Sequence, residues 1–176
     1  VVDEAFMDLV PGEPCSLVAE SLEDVVVVRS LTKLLSVPGL RAGYAVAASA
    51  LADRLRAVRP PWSVNALALA ALAAAASHPS ELAAVAERSA AEREDLAARL
   101  GAIDGVRVWP AAANFVLIEV AEGPAVVAAL RAENIAVRPA GSFPGLDDRH
   151  IRITARGARQ NARVADAVAA AVAVPE

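Results

Sequence analysis

Residues 25–47 read Val-Val-Val-Val-Arg-Ser-Leu-Thr-Lys-Leu-Leu-Ser-Val-Pro-Gly-Leu-Arg-Ala-Gly-Tyr-Ala-Val-Ala. Val25 to Val28 is an uninterrupted β-branched run bounded by charge. Such a run suits a strand buried on both faces of a parallel sheet better than an alternating edge strand. The loop that follows, Ser30 to Gly39, carries Lys33, and Arg41 to Ala47 reads as the next strand. A lysine just after a buried strand can be held away from bulk water, where a primary amine serves as a covalent catalyst. Ser30 and Thr32 supply hydroxyls and Arg41 a fixed cation, groups suited to gripping a phosphate. On its own, a Ser-x-x-Lys loop is an ordinary solvated loop, and the surroundings decide its meaning.

Upstream, residues 1–6 read as a short strand running into a turn, with Asp3 at its end. A carboxylate there can face a pyridinium nitrogen and keep it protonated. A strand at the first residue leads us to expect a truncated chain or one whose earlier part was lost. Residues 7–24, with Pro11-Gly12-Glu13-Pro14, read as a loop with a short helix at Ser16–Glu20. Downstream, a helix over Ser49–Val58 stops before Pro60-Pro61, as proline requires. A second runs from Val64 to Ala76, and a third from an N-cap at Ser80 to about Leu100, with Gly101 at its stop. Strands follow at 106–109 and 115–120, a helix at 124–133, strands at 135–138 and 150–154, and a closing helix over Gln160–Val172. The last two strands alternate apolar and polar residues, which predicts one wet face. The fold class is α/β, divided as residues 1–75, a long connecting helix at 76–100, and a small α/β domain at 101–176.

Composition narrows the function. The chain is 56% hydrophobic but only 3% aromatic, so its core is built of small side chains, chiefly Ala and Val. The apolar surplus agrees with a surface that meets a partner. A net charge of −4 without a Lys/Arg block argues against nucleic acid. One cysteine, Cys15, and two distant histidines, His78 and His150, leave neither an internal disulfide nor a metal site. The uncharged stretch from Pro60 to Ser80 is mainly alanine, which contributes little to a membrane span, and reads as a buried helix of a soluble protein. No export signal is visible at the start, and the composition suits a cytoplasmic enzyme.

Asp3-Glu4-Ala5-Phe6, Arg29-Ser30-Leu31-Thr32-Lys33 and Pro38-Gly39-Leu40-Arg41-Ala42-Gly43-Tyr44 resemble the class I/II aminotransferases of pyridoxal-phosphate (PLP) fold type I. The similarity is to the branch of histidinol-phosphate aminotransferase and the cobalamin-pathway threonine-phosphate decarboxylase. Asn114-Phe115, Ile135-Ala136-Val137-Arg138 and Ile151-Arg152-Ile153-Thr154 follow that branch in order and spacing, so the resemblance covers essentially the whole chain. It implies the C-terminal part of a mostly parallel cofactor-binding large domain, followed by a small α/β C-terminal domain. It also implies pyridoxal 5′-phosphate as cofactor, a small amino-acid-type substrate and a homodimer. By the same resemblance Lys33 carries the cofactor and moves a proton, Asp3 pairs with the pyridine nitrogen, and Ser30 and Arg41 hold the cofactor phosphate. Thr32 and Phe6 complete the cofactor-binding set. Arg152 clamps the substrate carboxylate, with Asn114 and Arg138 on the substrate side.

Two departures stand out. Many members have tyrosine where this chain has Phe6, and the family's N-terminal half, with its phosphate cradle and ring-stacking residue, lies outside these 176 residues. The chain alone is therefore expected to be inactive. Three readings follow: an aminotransferase on an amino acid or phosphorylated amino-acid-like substrate, in histidine or cobalamin biosynthesis; a threonine-phosphate decarboxylase on the same scaffold; and a non-catalytic fragment.

Overall fold

The Val25–Val28 run enters a strand of the same length that starts two residues later, at Val27. The computed structural model describes residues 1–173, and the chain divides into two compact units, Val1–Glu87 and Arg88 onward. In the first unit β1 (Val2–Asp3), β2 (Val27–Ser30) and β3 (Gly43–Val46) form one sheet in that order. β1 lies parallel to β2 with Asp3 opposite Val28, and β3 antiparallel with Gly43 opposite Ser30. Side chains alternate across a strand. Asp3, Val28 and Ser30 therefore share one face, and Glu4 and Arg29 the other. Val27 and Arg29 are buried, whereas Val28 is 37% exposed. The expected two-sided burial is thus not met: one face is covered, and the face carrying Asp3 is open.

The segment read as a loop after Ser30 contains a helical turn, α1 (Leu31–Leu34). Leu31 and Leu34 are three apart and both buried, clustering with Leu9, Ala42, Ala68 and Ala75. Their burial fixes the turn and so fixes where Lys33 begins. The short helix expected at Ser16–Glu20 is absent, and turns stand there. The Ser16 hydroxyl is engaged instead with the Glu4 carboxylate at 3.0 Å.

α2 (Ser49–Val58) ends as predicted at Arg59, which is extended (φ −73, ψ 129), as a residue before proline prefers. α3 (Ala66–Ala76) is capped by Asn65, whose side chain accepts from the Ala68 amide at 2.9 Å and donates to the Leu40 carbonyl at 3.0 Å. The expectation that this apolar helix is buried fails. Only Ala68 and Ala75 are buried, with Leu72 packed against the same core, while Leu67 and Leu69 are 66% and 54% exposed. α4 (Pro79–Gly101) starts one residue before the expected Ser80 cap. The amides of Glu81 and Leu82 donate to the His78 carbonyl, and Pro79 takes the first-turn position that needs no N–H.

In the second unit β4 (Arg107–Val108), β5 (Phe115–Glu119), β6 (Arg138–Pro139) and β7 (His150–Thr154) form an antiparallel sheet in the order β4-β5-β7-β6. One face packs under α5 (Gly123–Ala132), α6 (Ala158–Val172) and the second half of α4, through Leu96, Leu100, Val126, Leu130, Val168 and the strand residues Val116, Ile118, Ile151 and Ile153. β7 lies between two strands, so the wet face expected of it shrinks to Thr154; His150 is buried and Arg152 half-buried. Ile135–Val137 is not strand. Asn134 turns the chain at φ 58, the Ile135 amide returns to the Leu130 carbonyl at 2.9 Å, and only Arg138 and Pro139 pair with β7.

Asn161, 1% exposed, staples this unit. Its side chain accepts from the Arg156 amide at 2.8 Å and donates to the Glu92 carbonyl at 2.8 Å and the Asp95 carboxylate at 3.0 Å. Asn161→Ala removes the buried amide that ties three part-buried hydrogen bonds together and is expected to cost about 1–3 kcal/mol, read by chemical unfolding of the full-length protein.

Candidate active site

The open face of the first sheet gathers most of the residues singled out above. At the end of β2 the hydroxyls of Ser30 and Thr32 lie 2.6 Å apart. The Lys33 amine donates to Thr32 Oγ1 at 3.4 Å and sits 5.2 Å from the centre of the Phe6 ring. Asp3, exposed on the same face as Ser30, accepts from the Ala5 amide through Oδ1 at 2.9 Å. Gly43, opposite Ser30, is required by packing: a Cβ there would stand 2.8 Å from the Arg29 carbonyl oxygen. Arg41 occupies the left-handed region (φ 53) with its guanidinium exposed, donating to the Pro38 carbonyl at 3.4 Å. Lys33 itself is exposed, so the expected shielding from water is not present among the described residues; only Thr32 beneath it is buried.

One signal in the sequence is stronger than the motifs. Lys33 is the only lysine in the chain, and every other residue among the 17 Lys and Arg is arginine. Arginine cannot replace it in covalent chemistry, because only an amine condenses with a carbonyl.

Spacing gave no hint of the polar cluster on the opposite face. Arg29 and Glu4 are both buried, with 3% of each side chain exposed. The Arg29 fork reaches Glu4 Oε2 from Nε at 2.9 Å and from Nη2 at 2.8 Å. Nη1 donates to Asp8 Oδ1 at 2.8 Å, and Nη2 to Glu13 Oε2 at 2.7 Å and Ser16 Oγ at 2.8 Å. Three carboxylates surround one guanidinium, and two of them, Asp8 and Glu4, are shifted in opposite directions. Burial pushes the Asp8 carboxyl up, the Glu13 charge adds to that, and the Arg29 charge does not fully offset them. Burial pushes Glu4 up too, but the Leu17 amide, the Ser16 hydroxyl and Arg29 together hold it below its usual range.

The signs give a prediction. Asp8, with its folded value raised, adds stability as pH falls through that value toward the ordinary carboxylate range. Glu4, with its folded value lowered, contributes stability above that range and loses it as pH falls further. The melting-temperature advantage of the wild type over Asp8→Asn is therefore expected to grow from about pH 7 to about pH 4.5. A flat difference contradicts it.

In the second unit Arg138 and Arg152 are direct partners across β6 and β7. They project from the face opposite the core, since Ile151 and Ile153 fill the other. Arg152 lies 4.9 Å from the Phe115 ring centre and Arg138 5.8 Å from that of Phe143, with a 3.5 Å contact to Ser142. Among the described residues neither guanidinium is in an ion pair. Like charges directly opposite on a sheet are destabilising. Asn114, just before β5, accepts from the Ala155 amide through its carbonyl, while its Oδ1 is buried with no partner. An unsatisfied buried acceptor calls for a hydrogen-bond donor and two facing cations for negative charge, needs met together by a ligand that carries both.

The donor set of the first unit fits a phosphorylated pyridine aldehyde: one amine, two adjoining hydroxyls and a carboxylate on one open face, with Gly43 leaving room beside Ser30 and an exposed guanidinium, Arg41, two residues before that glycine. The sequence profile of the family described as aminotransferase class I and II matches residues 1–170. A histidinol-phosphate aminotransferase of Mycobacterium tuberculosis is 43% identical over 158 residues, covering 89% of this chain and 43% of the relative. A threonine-phosphate decarboxylase of Salmonella typhimurium is 35% identical over 169 residues, covering 93% and 46%. The crystal structure of histidinol-phosphate aminotransferase from Sinorhizobium meliloti in complex with pyridoxal-5′-phosphate superposes with a TM-score of 0.84 at 25% identity, covering 97% of this chain and 47% of that one. The chain spans about half the length of the curated relatives it matches. With the profile matched over nearly all its length, and the amine, hydroxyl and carboxylate set standing on one face, the chain belongs to the class I and II aminotransferase family.

Proposed function

We propose that the full-length protein is a PLP-dependent aminotransferase acting on an amino-acid-type substrate that carries a phosphate. The observation that carries this is the sole lysine of the chain, exposed beside a hydroxyl pair on the face that also bears Asp3. Bound PLP supplies an electron sink that stabilises negative charge at the substrate α-carbon. The Lys33 amine holds the cofactor covalently and, once released, carries a proton to and from that carbon. Its 3.4 Å bond to Thr32 is weak enough to yield. Asp3 keeps the ring nitrogen protonated. Ser30, Thr32 and Arg41 hold the phosphate through hydroxyl and guanidinium donors, and Phe6 offers the ring an apolar edge. Arg152 takes the substrate carboxylate through its planar fork, Asn114 turns its unsatisfied Oδ1 to the amino group, and Arg138 takes a second anion.

The substrate class is supported by the facing arginines. A single carboxylate neutralises one of them, whereas a carboxylate and a phosphate neutralise both. Arg138→Gln is expected to raise KM for a phosphorylated amino acid by about tenfold to a hundredfold, with a smaller effect on its unphosphorylated counterpart. Equal effects on both contradict the assignment. The reading as a whole is tested by offering a phosphorylated amino acid, O-phosphoserine or O-phosphothreonine, with 2-oxoglutarate to the full-length protein and measuring glutamate.

Phe6 favours a second reading. Without the hydroxyl that many members place there, the O3′ side of the cofactor loses a donor, and a threonine-phosphate decarboxylase is among the relatives. Carbon dioxide release from threonine phosphate, without formation of an oxo acid, identifies that activity. Cofactor use, a homodimeric assembly and a cytoplasmic location follow from the same reading, and sedimentation of the full-length protein tests the second of these.

A further inference from the structure

The Arg29 cluster touches none of the groups assigned above, yet it joins the two segments that contact the Lys33 amine. One is the β2–α1 junction, where Arg29 immediately precedes Ser30, Leu31 and Thr32. The other is the turn after β1, which brings Phe6 within 5.2 Å of the amine. Glu4 begins that turn, and Asp8 lies in its 3₁₀ segment, Met7–Leu9. The rung Asp3–Val28 is followed by Glu4 and Arg29, with the Glu4 amide donating to the Val28 carbonyl at 2.9 Å. A buried ion pair is weak evidence for stability, because apolar side chains of like volume often do as well. Its value is geometric. A guanidinium presents donors in a fixed plane, so Arg29 can engage one oxygen each of Glu4, Asp8 and Glu13 only when the two segments stand in one relation.

We propose that Arg29 is a positioning residue for Lys33. By binding Glu4, Asp8 and Glu13 together it fixes the Phe6 turn against the β2–α1 junction, and so fixes the reach of the amine. This rests on reading Lys33 as the cofactor lysine. The groups facing Arg29 are Glu4, Asp8, Glu13 and the Ser16 hydroxyl, with Tyr44 its partner across β2 and β3. Lysine keeps the charge but not the plane, so Arg29→Lys satisfies one carboxylate at the expense of the others.

The test uses the full-length protein stripped of cofactor. Pyridoxal phosphate is added, the adduct is reduced with borohydride after timed intervals, and modification of Lys33 is followed by peptide mass spectrometry. The pH midpoint of the visible band of the reloaded protein is measured in parallel. A misplaced reacting group loses rate steeply, so Arg29→Lys is expected to slow labelling of Lys33 by about tenfold or more. It should also move the pH midpoint by about half a unit or more. Labelling at the wild-type rate with an unmoved midpoint, whatever the loss in melting temperature, overturns the proposal and leaves Arg29 a structural residue. Glu13→Ala, which removes the acceptor altogether, covers the case in which Arg29→Lys does not fold, because Glu13 stands at the rim and the Arg29–Glu4 pair survives its loss. A moved midpoint in that variant supports positioning, and an unmoved one overturns it. Failure of the wild type itself to label at Lys33 defeats the function proposed above, which keeps the two outcomes apart.

Discussion

Replacing Lys33 by alanine in the full-length protein is expected to lower turnover by about a thousandfold or more. The loss should appear in kcat and in covalent retention of cofactor, with little change in fold. Lys33 is exposed and its side chain makes one long hydrogen bond, to Thr32, so stability should stay within about 0.5 kcal/mol of wild type. Lys33→Arg should be nearly as inactive, because it restores the charge without the amine. Activity retained in either variant, measured as oxo-acid formation, removes this residue from the chemistry.

The second large effect is on stability. Arg29→Ala leaves Glu4 buried beside Asp8 and Glu13 with no cation among them, and truncating one partner of a buried pair typically costs about 3–5 kcal/mol. Denaturant unfolding of the full-length protein measures it. Glu4→Gln should cost less, since its one amide oxygen can still accept from Arg29, although the Leu17 amide, which donates to the other carboxylate oxygen, then loses its acceptor. A loss below about 1 kcal/mol for Arg29→Ala would show that water reaches the cluster and screens it.

Local chemistry made much of this legible in the sequence. Pro60-Pro61 had to end a helix, the second half of a β-branched run became strand, and Ser30, Thr32 and Lys33 stood together because they lie within three residues of one another. What escaped were relations between distant residues. The cluster around Arg29 draws on positions 4, 8, 13 and 16, in a stretch with no periodicity, and its members became partners only when β1 and β2 paired. Arg29 was visible only as part of a motif. Asn161 joins residues 92, 95 and 156 by the same kind of tertiary placement. Burial was misjudged where hydrophobicity was taken as its measure. α3 is wholly Ala and Leu, yet fully buries only two alanines, and β7 alternates polar residues, yet only Thr154 of them is exposed. Ile135–Val137 failed as a strand because the Asn134 turn sends Ile135 back to the end of α5.

The central claim concerns one amine. Borohydride reduction of the full-length, cofactor-loaded protein, followed by digestion and mass spectrometry, reads it directly. The account predicts a reduced pyridoxyl adduct on the peptide containing Lys33, the one lysine this chain offers. An unmodified Lys33 in protein that has bound pyridoxal phosphate stoichiometrically, or an adduct on a lysine elsewhere in the full-length protein, would contradict it.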